Sequence, residues 1–293
     1  MKKNNFKKTT NSHFKRALFT ALLAGVIALG TLAGCNASNQ GNSGNEEKTN
    51  TDESTKVRTV NIAATPGYKP ITYINEDGDL DGYDIVVFKA IDERLPQYEF
   101  TFEAVDKEAL NIGVETNKYQ VGLNGMFRSK EREEKFLIPE NLLGATRVGS
   151  VLRADETGIA SWDDLVGKRL SPLQVSGGIY ALILTYNEKH PDSPIAYQEI
   201  STSDRVANYQ GLRDNVYDAV PELVDIYNQI QDPDVIRDLK ISNTFEKVST
   251  YPIINRSETE LLAIINEQLD ILLQDGTLSK IALEYYGADV FAE

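Results

Sequence analysis

Arg132 is the residue of this chain best suited to hold a charged ligand. It lies in the stretch Tyr119–Phe136, whose uncharged start, Tyr119–Leu123, reads as a short strand. Asn124-Gly125 then breaks the run, since both residues tolerate positive φ and let the backbone approach a ligand. Ser129 follows as a helix cap, with Glu131 and Glu133 in the first turn, where carboxylates suit the helix dipole. Arg132 shares that turn, at the carboxyl end of the predicted strand, where open α/β sheets bind ligands. Its planar fork of donors beside strand-end N–H groups makes a carboxylate clamp. The competing role is a surface pair with a neighbouring Glu on a solvated helix.

Other chemistry is sparse. The only histidines are His13 and His190 and the only cysteine is Cys35, which leaves no ordinary zinc site and no Cys–His or Ser–His pair. Gln174-Val175-Ser176-Gly177-Gly178 does not match a serine-hydrolase elbow, since Gln174 stands where its first outer glycine is needed. Asp77–Gly82 imitates half a calcium loop, but Phe88 stands where the bidentate Glu would be needed, so a hairpin turn is expected instead. Neither a cofactor nor a metal is expected.

The chain has 293 residues, 25% of them charged and 41% hydrophobic, enough for two packed cores. Residues 1–35 carry six bases and no acid, and taking them off the formal −14 leaves −20 for the rest. So acidic a surface repels phosphate backbones, which argues against nucleic acid as a partner. Basic residues 2–16, apolar Ala17–Thr31 and Leu32-Ala33-Gly34-Cys35 form an export signal. The last four resemble the bacterial lipobox, cut before a cysteine that receives lipid. Residues 1–34 are therefore expected to be a lipoprotein signal peptide. Residues 35–56, rich in Asn, Ser, Gly and charge, should form a lipid-anchored disordered tether.

From Val57 onward the pattern alternates strands and helices. The expected elements are strand Val57–Ala64, a helix Ile85–Arg94 capped by Asp84, strand Tyr98–Ala104 and helix Lys107–Glu115. A second set has strands Thr146–Arg153, Arg169–Gln174, Ala196–Ile200 and Val216–Val220. Its helices are Ile179–Tyr186, Ser203–Asp214 and Glu222–Gln231. Strand Lys247–Ile254, the amphipathic helix Glu258–Leu273 and helix Leu278–Tyr286 close the chain. Two α/β sets imply two lobes with a cleft between them, the usual home of a small-molecule site.

Several stretches in order resemble a known family: Gly82-Tyr83-Asp84-Ile85, Gly125-Met126 to Arg132, Asp164–Arg169, Tyr217–Val220 and Leu273–Leu278. Together they are similar to the polar amino-acid branch of the substrate-binding proteins of ABC importers. Gly82–Tyr98 and Glu131–Leu137 are most similar to the cystine-binding lipoproteins of Gram-positive bacteria. The resemblance implies a type II periplasmic-binding-protein-like clamshell, each lobe a mixed, mainly parallel sheet flanked by helices. Lobe one would be 57–147 plus 248–293 and lobe two 148–247, with crossing strands near 147 and 248.

It also implies a site. Arg132 would hold the ligand α-carboxylate, Asn124, Gly125, Met126 and Phe127 would supply backbone and walls, and Tyr68 would cover the side chain. Leu173, Ser176 and Gly177 would line lobe two. The amino-binding Asp of the family falls on Leu223, so Glu222, with Asp225 in reserve, is the candidate for that role. Phe127 and Val175-Ser176-Gly177 depart from the family's Ser/Thr and Gly-Thr-Thr. The expected partners are an amino-acid ligand, ABC permease subunits and a lipid anchor holding a monomer at the outer face of the cell membrane. The rival readings are a dehydratase on the same fold, with Glu222 as its acid, and a sensory lipoprotein that does not transport.

Overall fold

The computed structural model describes residues 57–175 and 177–292. Cys35, the signal and tether segments, and Ser176 lie outside the described residues. The chain opens with β1 (Arg58–Ala64), a hairpin of β2 (Tyr73–Ile74) and β3 (Leu80–Asp81), α1 (Tyr83–Asp92), β4 (Tyr98–Ala104) and α2 (Lys107–Glu115). Next come β5 (Val121–Phe127), α3 (Lys130–Lys135) and β6 (Gly144–Arg153). The central part holds β7 (Leu173–Gln174), α4 (Gly178–Lys189), β8 (Glu199–Ile200), α5 (Arg205–Arg213), β9 (Val220–Leu223), α6 (Val224–Tyr227), α7 (Pro233–Ile236) and β10 (Leu239–Ile241). The chain ends with β11 (Glu246–Ile254), α8 (Thr259–Gln274) and α9 (Thr277–Tyr286).

One mixed sheet ties these together in the order β10-β6-β11-β5-β1-β4, with β9 added beside β6. Its parallel part is β4-β1-β5, and β11 and β6 join it antiparallel. The two long strands β6 and β11 pair with each other where Thr146 faces Val248 and Arg147 faces Lys247. On one side, Val60, Ile62, Ile85, Phe88, Leu123, Leu261, Ile265, Leu269 and Leu272 form a core with no exposed surface. Burying side chains of this size contributes about 1.5–3 kcal/mol each. The apolar face of α8, periodic in the sequence, supplies four of them. On the other side, Leu152, Leu165, Ile183 and Ile195 make a separate core, with Tyr209 and Leu212 in a neighbouring one. The fold is thus α/β and two-lobed.

Three local expectations need correction. Asp84 does not cap α1; Gly82, at φ 122°, does that work, and an added Cβ there would lie 2.3 Å from the Ile71 carbonyl oxygen. Asp84 sits instead in the first turn, fully buried, with Oδ2 accepting from the Gly125 N–H at 2.8 Å. Asn124-Gly125 does not end its strand, because β5 runs on to Phe127. Gly125 takes φ 53°, and the pairing of β5 with β11 shifts register between Tyr251 and Ile253. Finally, the segment expected as a strand to Val220 and then a helix from Glu222 is a strand over Val220–Leu223. Pro221, which has no N–H to give, is tolerated because β9 has a single neighbour, β6.

Candidate functional site

A cavity of about 370 Å³ opens where the two sets of elements meet. Its first wall comes from the loop after β1, which carries Tyr68, from the end of β5 (Asn124–Phe127), and from Lys107 and Arg132 at the starts of α2 and α3. Its second wall comes from Leu173 and Gln174 of β7, the N-terminal end of α4 from Gly177, Arg205 of α5, and Glu222 and Leu223 of β9. Of the described residues named above for ligand contact, Tyr68, Asn124, Gly125, Met126, Phe127, Arg132, Leu173, Gly177 and Glu222 lie on these walls. Asp225 does not. It is buried against β6, taking hydrogen bonds from the Thr146 hydroxyl and the Arg147 N–H at 3.3 and 3.1 Å and an ion pair from the Arg147 guanidinium.

The local sequence explains how the first wall is built. Ser129 caps α3, its Oγ accepting from the Arg132 N–H at 3.3 Å, which starts the helix immediately after β5. Arg132 Nη1 then donates to the Phe127 carbonyl oxygen at 2.5 Å, so the strand end steers the guanidinium. Burial holds the Arg132 guanidinium below its usual pKa. The Lys107 ammonium is lowered too, first by burial and then by the charge of Arg132. Burial raises the Tyr68 phenol above its usual value.

The second wall carries a closed ion pair. Glu222, 7% exposed, has Oε2 accepting from Arg205 Nε at 2.6 Å and from the Tyr209 hydroxyl at 3.1 Å. Its Oε1 accepts from the Leu223 N–H at 2.9 Å. The candidate for the amino pole is therefore in the cavity but already engaged by a cation of its own lobe. The expectation missed both Arg205 and Lys107. A signal was present, because each is the first residue of its helix, directly after the caps Asp204 and Asp106. A cation there opposes the helix dipole, by about 0.3–1 kcal/mol.

The walls also approach each other closely. A Cβ added at Gly178, in the first turn of α4, would come within 2.6 Å of the Phe127 ring on the opposite wall. Glycine is what allows this contact. The arrangement is a concave, water-accessible site with fixed cations, backbone and aromatic surface, which can bind and orient a small acid. Among the described residues no group of His, Cys, Asp or Glu could hold a metal ion, and no helix is long and apolar enough to cross a membrane.

Fold and site together define a solute-binding protein, and the chain belongs to family 3 of the bacterial extracellular solute-binding proteins, whose sequence model matches residues 60–288. It is similar to the L-cystine-binding protein TcyK of Bacillus subtilis (strain 168), 26% identical over 95% of this chain and 98% of that one. The L-cystine-binding protein TcyJ of the same organism is 28% identical over 83% of this chain and 89% of its own. Among solved structures, one concerning glutathione import in Gram-positive bacteria via GshT and the cystine ABC importer TcyBC of Streptococcus mutans matches with a TM-score of 0.68. That match covers 81% of this chain and 98% of the other at 22% identity, and it bears on the fold.

Proposed function

We propose that this chain is the substrate-binding lipoprotein of an ABC importer, which closes two lobes on an amino acid and presents it to a membrane permease. The observation that carries this reading is Arg132: a guanidinium steered by the Phe127 carbonyl oxygen onto the wall of a cavity of about 370 Å³. Arginine offers a carboxylate two parallel charged hydrogen bonds, and a cavity of this size takes a molecule the size of an amino acid. The relatives named as L-cystine-binding proteins support cystine or a related amino acid as the ligand. No catalytic step is assigned. Among the described residues the one acid on the cavity wall, Glu222, is engaged by Arg205 and Tyr209, which disfavours the dehydratase reading.

In this reading lobe one is 57–147 plus 248–293, lobe two is 148–247, and closure turns about β6 and β11 where they pair at 147 and 247. Tyr68, Met126 and Phe127 cover the ligand, with Asn124, Gly125, Leu173 and Gly177 completing the walls. Cys35 is the lipidated residue, residues 36–56 are the tether, and the protein works as a monomer on the outer face of the cell membrane.

The test is calorimetry of the full chain in mild detergent against the common amino acids and cystine. Micromolar binding of at least one of them, with small-angle scattering showing compaction at saturation, is the expected result. The amino-acid reading fails if none of these compounds binds a chain shown to be folded by circular dichroism. Cys35→Ala should leave the membrane fraction or accumulate as precursor, and equal palmitate labelling of that variant and the native chain would remove the anchor from the account.

A further inference from the structure

A second concavity, of about 360 Å³, lies along α4 and shares no wall residue with the first. Trp162 and Asp163, at the single helical turn Asp163–Leu165, form one side of it. The C-terminal end of α4, with Tyr186 and His190, forms another, and Phe245 and Glu246 close it where β11 begins. The Trp162 and Phe245 rings meet edge to face with centroids 5.5 Å apart, and the Tyr186 ring stacks on the His190 imidazole at 4.1 Å. Trp162 and Phe245 pack on the core beneath them yet stay half-buried, so part of each ring faces the pocket.

The polar groups around these rings are used unevenly. The neutral side-chain donors on the wall are spent within the protein. The Tyr186 hydroxyl donates to Asp163 Oδ1 at 2.7 Å and Trp162 Nε1 to Glu246 Oε2 at 3.2 Å. The Ser161 hydroxyl donates to Asp164 Oδ2 at 2.8 Å and the Thr185 hydroxyl to the Ala181 carbonyl oxygen at 2.9 Å. His190 Nδ1 lies 2.9 Å from the Tyr186 carbonyl oxygen; a carbonyl only accepts, so Nδ1 carries the proton and Nε2 of the neutral ring is an acceptor. Asp163 and Glu246 are engaged by neutral donors, which satisfy one oxygen of each and leave its charge in place. Among the described residues neither carboxylate is in an ion pair. The negative end of the α4 dipole falls at the same place. One cation opposes them, the exposed ammonium of Lys189.

The pocket therefore offers ring surface, acceptor oxygens and a negative field. An anion would face two carboxylates, and a neutral acceptor would find its donors taken. A cation with an apolar body meets both halves of the surface, through cation–π contact with the rings and through charge. We propose that this pocket is a binding site for a small organic cation, an ammonium or guanidinium on an apolar body, with Trp162, Phe245 and Tyr186 as its ring walls and Asp163 and Glu246 as its counter-charges. The site stands or falls independently of the amino-acid cavity.

Trp162 is the only tryptophan of the chain, so its fluorescence reports this pocket directly. The probes are benzyltrimethylammonium, benzyl alcohol and phenylacetate, titrated into the full chain in mild detergent, with calorimetry as a second readout. Benzyltrimethylammonium should shift the Trp162 emission saturably and bind at least about tenfold tighter there than the alcohol or the anion. Asp163→Asn and Glu246→Gln keep an acceptor for the Tyr186 and Trp162 donors and change exposed residues, so the fold should survive both. Together they should weaken the cation severalfold and leave the alcohol unmoved. Phe245→Leu, which keeps apolar volume without the ring, should weaken it as well. Loose attraction of a cation to a chain carrying −14 would give no saturable change and would survive the loss of two charges. Either result overturns the proposal, and so does an alcohol or anion that binds at Trp162 as tightly as the cation.

Discussion

Arg132 and Arg205 serve the same cavity under different electrostatic arrangements. Arg132 is steered by a neutral acceptor, the Phe127 carbonyl oxygen, whereas Arg205 is steered by the Glu222 carboxylate. Steering through a carbonyl fixes geometry without itself cancelling charge. Steering through a carboxylate fixes geometry and cancels charge. The second wall therefore holds its shape through a pair whose charges offset each other. Under the proposed amino-acid reading, this pairing leaves Glu222 engaged beside Leu223, where an amino-binding Asp would be expected.

The largest expected effect comes from breaking the second wall's pair. Glu222→Ala leaves Arg205 beside the Tyr209 hydroxyl with no carboxylate; removing one partner of a fully buried pair costs on the order of 3 kcal/mol, and the 32% exposure of the Arg205 side chain lowers this to about 2 kcal/mol. Urea unfolding should show that loss. A loss below about 1 kcal/mol would mean that water screens the pair and that Glu222 is open to ligands after all.

The first wall has a buried acid of its own, behind Gly125. Burial raises the Asp84 carboxyl from 3.8 to about 7, with the Gly125 N–H opposing the shift. Between those values the folded chain keeps a proton that the unfolded chain has released. Stability from this group is therefore full below the unfolded value and lost as pH rises towards about 7. The expected size is about 2 kcal/mol across that window, discounting the limit of 1.36 kcal/mol per unit. Denaturation midpoints measured from pH 4 to 8 should fall less steeply in Asp84→Asn than in the native chain. Parallel profiles would separate Asp84 from the pH response.

A smaller effect tests how the walls meet. Gly178→Ala drives a methyl into the Phe127 ring, and overpacking of this kind costs about 1–3 kcal/mol. If the cost falls on closure, ligand affinity drops about tenfold while the unfolding midpoint of the free chain barely moves. An unchanged affinity would show that the walls separate without consequence.

Elements made by local rules were legible in the sequence. The Ser129 cap with Glu131 and Glu133 in its first turn appears in α3 as read, and of the apolar face read as Leu261, Leu262, Ile265, Leu269 and Leu272 all but the half-buried Leu262 are buried in α8. The hairpin at Asp77–Gly82 also formed, with Asn75 Oδ1 accepting from the Asp77 and Asp79 N–H groups. What could not be read depended on distant partners. Asp84 looks like a cap until Gly125 is packed against it from 41 residues away. Pro221 argues for a strand end until β9 is seen to need only one neighbour. Arg205 looks like a solvated helix residue until Glu222, 17 residues on, is brought to its Nε. The position of Arg132 on the cavity wall was legible because strand end, cap and arginine are adjacent in sequence; the Arg205–Glu222 pair was not, because its two halves are 17 residues apart.

The most direct measurement compares the tightest amino-acid ligand with its α-carboxamide, on the native chain and on Arg132→Ala, by calorimetry. A charged hydrogen bond is worth about 1.5–3 kcal/mol, so the native chain should prefer the carboxylate by at least about tenfold. Arg132→Ala should lose that preference and bind the acid about as weakly as the amide, with Arg132→Lys recovering only part of it. Arg132→Ala holding the acid with native affinity would contradict the account, and would return Arg132 to the surface of α3.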